Sequence, residues 1–596
     1  MMKILLTAVN AKYIHSNPAV YSLFAYAGEE LQQSIEIAEY TINQQTEEIL
    51  SDMYERQPDV IAVSCYLWNI SMAEVLVKEL KKILPQTEIW LGGPEVSYDA
   101  VDVLVRLPQV TGVMVGEGEV TFRELCTVYV RREPGKAVEA SALSAIPGIA
   151  YRDASGRVQM TAPRALTDLN TIPFFYHDGN FDLFSNRILY YESSRGCPFS
   201  CSYCLSSIDK SVRFRDLNLV KKELRYFLER RVPQVKFVDR TFNCSHVHAM
   251  EIWRYIKEND NGVTNFHFEI AADILNEEEL QLLNTMRPGL VQLEIGVQST
   301  NPDTVKEIRR TMDFEKLSVI VKRIQEGRNI HEHLDLIAGL PFEDYETFVK
   351  SFNDVMSLKP EQLQLGFLKV LKGSMMHENA KEYGLSYTEE PPYEVLFTKW
   401  ISYAEIRRLK AVEEMVELYY NSCQFRNTLL LLEPKFPDYY SMYDRLAAFY
   451  RECGYGIQNP SRIRRYEILL SFAEAIQERE KKSGMAAGDF DGAWLLSVKE
   501  ALTLDLYLRE NLKSRPSFCK DLSGEKETIR AFYRQEAETH RFLPAYTVYD
   551  AKQLSRMTHL EPIGGKWLLF DYAARDPLTG DASTTEIVRE SAYNGE

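Results

Sequence analysis

Nine cysteines in 596 residues are too few and too unevenly placed for a disulfide framework: three fall between positions 197 and 204, and the others are scattered. Histidine is nearly missing from the N-terminal part, where His15 is the only one before His177. No run approaches the roughly 20 apolar residues that cross a bilayer. The opening Met-Met-Lys-Ile-Leu-Leu-Thr-Ala-Val-Asn holds too short an apolar run for a signal peptide and reads as a first buried strand. A membrane protein is therefore not expected, and a cytoplasmic location is, in a reducing setting that keeps the thiols free. Basic residues are in deficit: the formal net charge of −17 argues against a nucleic-acid backbone as the main partner, and only Lys210 to Arg215 makes a local basic patch. Low-complexity tracts are absent too. A chain of this length exceeds one hydrophobic core, so three or four domains are expected.

What the chain does have is Arg195-Gly196-Cys197-Pro198-Phe199-Ser200-Cys201-Ser202-Tyr203-Cys204, a C-x3-C-x2-C stretch just after the apolar run Ile188 to Tyr191. Three thiolates so close on one loop suit an iron–sulfur cluster with one iron left without a protein ligand. A zinc site would want a fourth Cys or His at matching short range, and the nearest, Cys244 and His246, lie about forty residues on. With Tyr203 just before the last cysteine, the stretch resembles the cluster loop of the radical S-adenosylmethionine (SAM) enzymes. That resemblance implies that Cys197, Cys201 and Cys204 ligate a [4Fe–4S] cluster whose remaining iron chelates the amino and carboxylate groups of SAM. It implies also that Tyr203 flanks the SAM adenine and that an external one-electron donor, such as flavodoxin or ferredoxin, feeds the cluster.

Ahead of this loop, strand patterns at Ile4–Val9, Ile35–Tyr40, Val60–Cys65, Glu88–Leu91 and Gly112–Val115 alternate with helical periodicity at Ala19–Glu30, Glu47–Gln57, Met72–Leu84 and Phe122–Arg132. Such alternation predicts an α/β domain whose parallel sheet is covered on both faces and binds ligands at the carboxyl ends of its strands. The loops at those ends are Ser64-Cys65-Tyr66-Leu67-Trp68-Asn69, Gly92-Gly93-Pro94-Glu95 and Gly116-Glu117-Gly118-Glu119. Glycines there let backbone approach a bulky ligand, and a following helix offers N–H groups to a phosphate. Alone, this is a generic nucleotide-type crevice. Placed directly before the cluster loop, it resembles the Rossmann-like (flavodoxin-like) cobalamin-binding domain of the B12-dependent radical SAM family. The resemblance implies corrinoid contacts from Ser64, Tyr66, Trp68, Asn69, Gly92, Gly93, Pro94, Glu95, Gly116 and Glu117. The Asp-x-His-x-x-Gly motif that supplies a cobalt ligand elsewhere is absent, so no protein histidine is expected beneath the metal. Trp68 or Tyr66 would cap that face instead; the other reading of Trp68 is a core aromatic at a strand end.

Pro147 to Thr161 reads as a β-hairpin around Asp153-Ala154-Ser155-Gly156, and the stretch from Pro163 to Phe184, punctuated by Pro, Asn, Asp and Gly, as a linker. From Ile188 the alternation resumes with strand patterns at Ile188–Tyr191, Val235–Asp239, Asn265–Ile270, Leu290–Val297, His333–Ile337 and Gln362–Val370. Six such units predict a partial (β/α)6 barrel of radical SAM type, with its working residues at the C-terminal strand ends. Asp239 and Asn243, Glu269, Glu294 and Gln298, and Asp335 and Gly339 stand in or after successive strands. A buried carboxylate needs a partner, and the amino and sulfonium groups of SAM are cations. The segments Leu-Glu-Ile-Gly-Val-Gln-Ser and Asp-Leu-Ile-Ala-Gly-Leu-Pro look like the fourth- and fifth-strand signatures that line the SAM pocket in that superfamily. Asp239-Arg240-Thr241-Phe242-Asn243 replaces its usual Gly-Gly-Glu-Pro, leaving open which side chain holds the SAM amino group.

Beyond Gly373 helical patterns dominate, with a final strand-like Lys566–Tyr572. The expected organisation is a cobalamin-binding domain over 1–140, a hairpin and linker over 141–184, the barrel over 185–372 and a mostly helical domain over 373–596. The resemblance implies that the last of these shapes the substrate cavity. It further implies methyl transfer from methylcobalamin to an unactivated carbon or similar centre of an unidentified substrate, through a 5′-deoxyadenosyl radical. Two rivals stand beside it: a B12-dependent radical SAM oxidation, cyclisation or rearrangement without methyl transfer, and a non-enzymic corrinoid and iron–sulfur carrier.

Overall fold

The computed structural model describes residues 2–133, 138–153, 155–457, 460–482, 492–512 and 514–587. Contacts divide the chain into two compact units, the first made of Met1–Ile330, Ile337–Tyr345 and Gly366–Tyr403, the second of His331–Leu336, Glu346–Leu365 and Ala404–Glu596.

In the first unit, strands β1 (Ile4–Asn10), β2 (Ile35–Thr41), β3 (Val60–Ser64), β4 (Glu88–Gly92) and β5 (Gly112–Met114) pair in parallel in the order β2-β1-β3-β4-β5. This is the doubly wound, flavodoxin-like arrangement. The residues explain it: β1 and β3 are buried along their whole length, as strands covered on both faces must be. The helix Ile70–Ile83 supplies part of the cover with Ile70, Ala73, Leu76, Val77 and Leu80 at helical spacing. The sheet continues past β5. Strands β6 (Ile149–Arg152) and β7 (Val158–Met160) add an antiparallel hairpin, with Val113 opposite Ala150. The hairpin read in the sequence is thus a sheet edge that covers β5, whose apolar Val113 would otherwise lie open. Ala154 of its turn lies outside the described residues.

After β8 (Leu189–Tyr191) comes a two-residue antiparallel pair, β9 (Ser194–Arg195) with β10 (Arg213–Phe214), which brackets the cysteine loop. The series continues with β11 (Gln234–Phe237), β12 (Asn265–Ile270), β13 (Val291–Gln298), β14 (His331–Ala338) and β15 (Gln362–Phe367), and the strand order β15-β14-β13-β12-β11-β8 is that of an open, incomplete barrel. Strands β8, β11, β13 and β14 carry a two-residue alternation; in β13 the odd positions Val291, Leu293, Ile295 and Val297 are fully buried and the even ones are not.

The second unit is mainly helical, with long helices at Tyr439–Cys453, Arg462–Lys482, Ala493–Arg509 and Lys526–Thr539. The start of the helix Arg426–Leu432 is fastened by the buried Asp505, which accepts from Asn427 N (3.0 Å), Thr428 N (2.9 Å) and both side chains. The strand read at Lys566–Tyr572 proves to be the middle one, Lys566–Arg575, of an antiparallel sheet with Thr558–Ile563 and Ala582–Ile587. Among the described residues no helix is long and apolar enough to cross a membrane.

Packing at the N-terminal sheet is tight enough to test. A Cβ on Gly112 would fall 2.3 Å from the ring of the fully buried Trp90 and 2.8 Å from Ala150 O. Gly112→Ala is expected to lower the unfolding free energy by about 1–3 kcal/mol through overpacking, read as a shift of the denaturation midpoint.

Candidate active site

A cavity of about 970 Å³ lies in the first unit, lined on one side by the carboxyl-end loops of β1, β3, β4 and β5 and on the other by Ser194, Arg195 and Gly196 at the base of the cysteine loop. Ser64, Tyr66, Trp68, Gly92, Gly93, Pro94, Gly116 and Glu117 all line it. Two of the glycines are required by backbone geometry. Gly93 has φ +112° and a Cβ there would meet Cys65 O at 2.4 Å, while Gly116, at φ +80°, has open space where a side chain would stand. Tyr66 and Trp68 stack with ring centroids 4.5 Å apart and planes 6° from parallel, and Trp68 Nε1 donates to Val9 O at 3.1 Å. His15 also reaches the cavity, with Nδ1 2.6 Å from Tyr190 OH.

Two residues expected at this rim turn away from it. Asn69 Nδ2 donates to Val9 O and Ser64 O, both at 2.9 Å, and its Oδ1 accepts from Tyr66 N at 2.8 Å, so its polar atoms hold the loop together. Glu95 is buried against Tyr393 OH at 3.0 Å, and burial raises its pKa despite that bond. Glu117 does line the cavity, yet both its oxygens are engaged: Arg213 Nη2 at 2.5 Å, Arg213 Nη1 at 3.2 Å and Thr167 N at 2.7 Å.

In the cysteine loop Cys197 and Cys201 are buried, Cys204 is half-buried and all are free thiols. Cys197 Sγ lies 3.6 Å from Thr241 Oγ1, and Arg310 Nη1 reaches Cys201 Sγ at 3.8 Å and Tyr203 OH at 3.4 Å. Burial pushes the Cys201 thiol up and the Arg310 charge works against it. Among the described residues no three His, Cys, Asp or Glu side chains are gathered as ligands of a single ion. A cubane asks for something else, one thiolate on each of three irons, and the loop offers that donor set with polar atoms to spare. Ser202 Oγ, Gln298 Oε1 and Arg310 Nε are buried without a hydrogen-bond partner. Gln298 also holds a left-handed backbone at φ +71°.

The carboxylates after the barrel strands divide. Asp239 is fully buried and accepts from Ser193 N (2.9 Å), Ser193 Oγ (2.6 Å) and Ser194 Oγ (2.6 Å); burial outweighs these bonds and pushes it up to about 7. It therefore fastens the chain entering the cysteine loop, with His248 Nε2 backing Ser193 Oγ at 3.1 Å. Asn243 exchanges two bonds with the Ala271 backbone at the end of β12. Glu294 is committed to His267 (2.9 Å) and Lys236 (3.1 Å), which overcome the effect of burial and hold it at about 2. Glu269, its neighbour across the β12–β13 pair, is raised by burial, with the Arg240 charge opposing. Gly339 has φ +87° and a Cβ there would strike Val395 at 2.7 Å; Asp335 sits on β14. In the sequence Arg195 and Arg240 stand only as parts of quoted stretches and Arg213 only as part of a basic patch, and nothing marks Arg310; no spacing shows which acids they meet.

Residues 4–126 match the family model for a B12 binding domain, 191–355 that of the radical SAM superfamily, and 381–571 one described as a protein of unknown function (DUF4080). The chain is 25% identical over 427 residues to 2-(S-pantetheinyl)-carbapenam-3-carboxylate methyltransferase of Streptantibioticus cattleyicolor, covering 66% of this chain and 61% of that one. It is 26% identical over 361 residues to the cobalamin-dependent radical SAM methyltransferase TokK of Streptomyces tokunonensis, covering 56% and 51%. The match thus spans between half and two thirds of these relatives' own length. Among solved structures, the cobalamin-dependent SAM radical enzyme OxsB with aqua-cobalamin and SAM bound shares the fold, with TM-score 0.55, 16% identity, and 84% of this chain and 78% of that one covered.

Glu117 gives this site a pH signature. Burial alone would raise its carboxyl, but the bonds from Arg213 and Thr167 N and the charge of Arg195 hold it at about 2, below its ordinary 4.5. An acid depressed on folding adds stability that is complete above its unfolded value and is lost as pH falls through the folded one. The cofactor-free chain is expected to exceed Glu117→Gln in unfolding free energy by at most about 3 kcal/mol near neutrality, the difference closing as pH falls from 4.5 toward 2. Denaturant titrations of both across that range measure it.

Proposed function

The chain belongs to the cobalamin-dependent radical SAM family, and on that premise we propose that it transfers a methyl group from methylcobalamin to an unactivated carbon or similar centre of its substrate, with SAM as the radical source. The observation that carries the reading is the single cavity bounded by both the glycine-ended loops of the B12-binding sheet and the base of the cysteine loop. The methyltransferase names of the two relatives point the same way. When bound, the [4Fe–4S] cluster supplies a low-potential electron to SAM, and cobalamin supplies the methyl group.

The chain's own residues prepare the chamber. Cys197, Cys201 and Cys204 would hold the cluster, with Arg310 as a fixed cation beside Cys201 and Tyr203. Ser202 and Gln298 offer unspent polar atoms to SAM, and Gly339 lets backbone come close at the fifth strand. On the opposite side Gly92, Gly93, Pro94 and Gly116 give a corrinoid a surface of backbone and small side chains, and the Tyr66–Trp68 stack lines the same cavity. Leu23, Met114, Val115, Phe174 and Phe175 make much of the remaining lining apolar. Reduction of the cluster requires an external one-electron donor such as flavodoxin or ferredoxin, and a cytoplasmic setting would keep the thiols reduced.

The test is a product analysis. The anaerobically reconstituted chain, given SAM, methylcobalamin, a reductant and pools of candidate substrates, is expected to release 5′-deoxyadenosine and S-adenosylhomocysteine together and to label a product from SAM deuterated in its methyl group. Deoxyadenosine alone would overturn methyl transfer in favour of an oxidation, cyclisation or rearrangement. Absence of both in a cluster-loaded protein would leave a carrier. Substituting alanine at Cys197, Cys201 and Cys204 together is expected to abolish both products and iron uptake.

A further inference from the structure

The cysteine loop, residues 196–212, hangs from a stem of two residue pairs, Arg195 opposite Arg213 and Ser194 opposite Phe214. Two features make that stem weak by itself. A strand pair this short is marginal in water, and like charges directly opposite each other repel. The stem nevertheless sets the position of the first thiol. Gly196, at φ +97°, lets the returning chain pass so close that a Cβ would lie 2.4 Å from Ser211 O, and Cys197 N donates to Asp209 O at 3.3 Å. Any parting of the two arginines would be felt at the next residue.

Four carboxylates hold the arginines together. Two are local: Glu192, bound by Arg195 Nη2 at 2.7 Å and Nε at 2.9 Å, and Asp209, bound by Arg213 Nη2 at 3.2 Å. The other two follow β5: Glu117 in the loop and Glu119 in the first turn of the helix Gly118–Val130. Glu119 receives Arg195 Nη2 at 2.8 Å, and Glu117 receives Arg213 at 2.5 and 3.2 Å while lying 3.4 Å from Arg195 Nη1. Glu117 is the one acid within ion-pair distance of both guanidinium groups among the pairs described. Arg213 Nη1 also reaches Thr167 O at 2.7 Å, so the segment before the barrel joins the same knot.

We propose that Glu117 and Glu119, carboxylates of the B12-binding sheet, are positioning residues for the iron–sulfur cluster, fixing Cys197 by clamping the Arg195–Arg213 stem. This rests on the reading of Cys197, Cys201 and Cys204 as the cluster ligands. It gives Glu117 a different task from the corrinoid contact expected of it, and it makes the cobalamin domain a structural part of the iron site.

The full-length chain is reconstituted anaerobically as wild type, as Glu117→Gln with Glu119→Gln, and as the charge exchange Glu117→Arg with Arg213→Glu. Far-UV circular dichroism checks folding, and three quantities are read: iron per chain, the rate of iron release to a chelator, and the electron paramagnetic resonance spectrum of the reduced cluster. The double glutamine variant is expected to release iron about tenfold faster, the usual size of an effect on residues that support metal ligands, and to show shifted g-values. The exchange variant is expected to recover slower release. Wild-type release and spectrum in a folded double glutamine variant would overturn the clamp. If that variant does not fold, a folded exchange variant that fails to retain iron overturns it instead. A wild-type chain that takes up no iron overturns the cluster reading itself, which separates the two failures.

Discussion

Two guanidinium groups placed opposite each other in a half-buried strand pair repel, and the acids that surround Arg195 and Arg213 are arranged to offset that repulsion. The same requirement is met repeatedly in and after the barrel strands. Asp239 takes three donors from Ser193 and Ser194, and Glu294 takes His267 and Lys236. Once these charges are matched within the protein, much of the surface facing the cavity is glycine backbone, aromatic rings and aliphatic side chains.

Much of the fold was legible in the residues because it rests on local signals. Buried runs such as Ile4–Asn10, glycines at strand ends and helices with a four-residue apolar repeat specify an alternating sheet before any tertiary contact forms. The three cysteines were legible for the same reason. The partners of the carboxylates were not. Whether Asp239 faces a ligand or Ser193 depends on contacts between residues about 46 positions apart, and Glu117 meets Arg213 across 96 positions; sequence spacing carries no trace of either. The hairpin at Ile149–Met160 was visible as a hairpin, whereas its attachment to β5 was decided by an exposed strand edge that only the assembled sheet possesses.

The C-terminal third teaches a related lesson. Its helices announce themselves by periodicity, but the three-stranded sheet at Thr558–Ile587 was seen only as one strand, because its outer strands lack a clean apolar alternation: in Ala582–Ile587, Ser583 to Glu586 are all exposed, and Thr558–Ile563 buries Thr558 and Glu561 and contains Pro562. What fastens this unit is again a long-range choice, Asp505 closing the start of a helix 77 residues earlier in the chain.

The arginine stem has a consequence for descent and engineering. Half of the charges that balance it belong to one domain and half to another, so neither behaves as an interchangeable cassette. A corrinoid domain transplanted from a relative would bring a foreign loop against Arg195 and Arg213 and would need acids at the right places before the graft could support its neighbour. Change on either side would have to be answered on the other, which binds the two modules into one inherited piece.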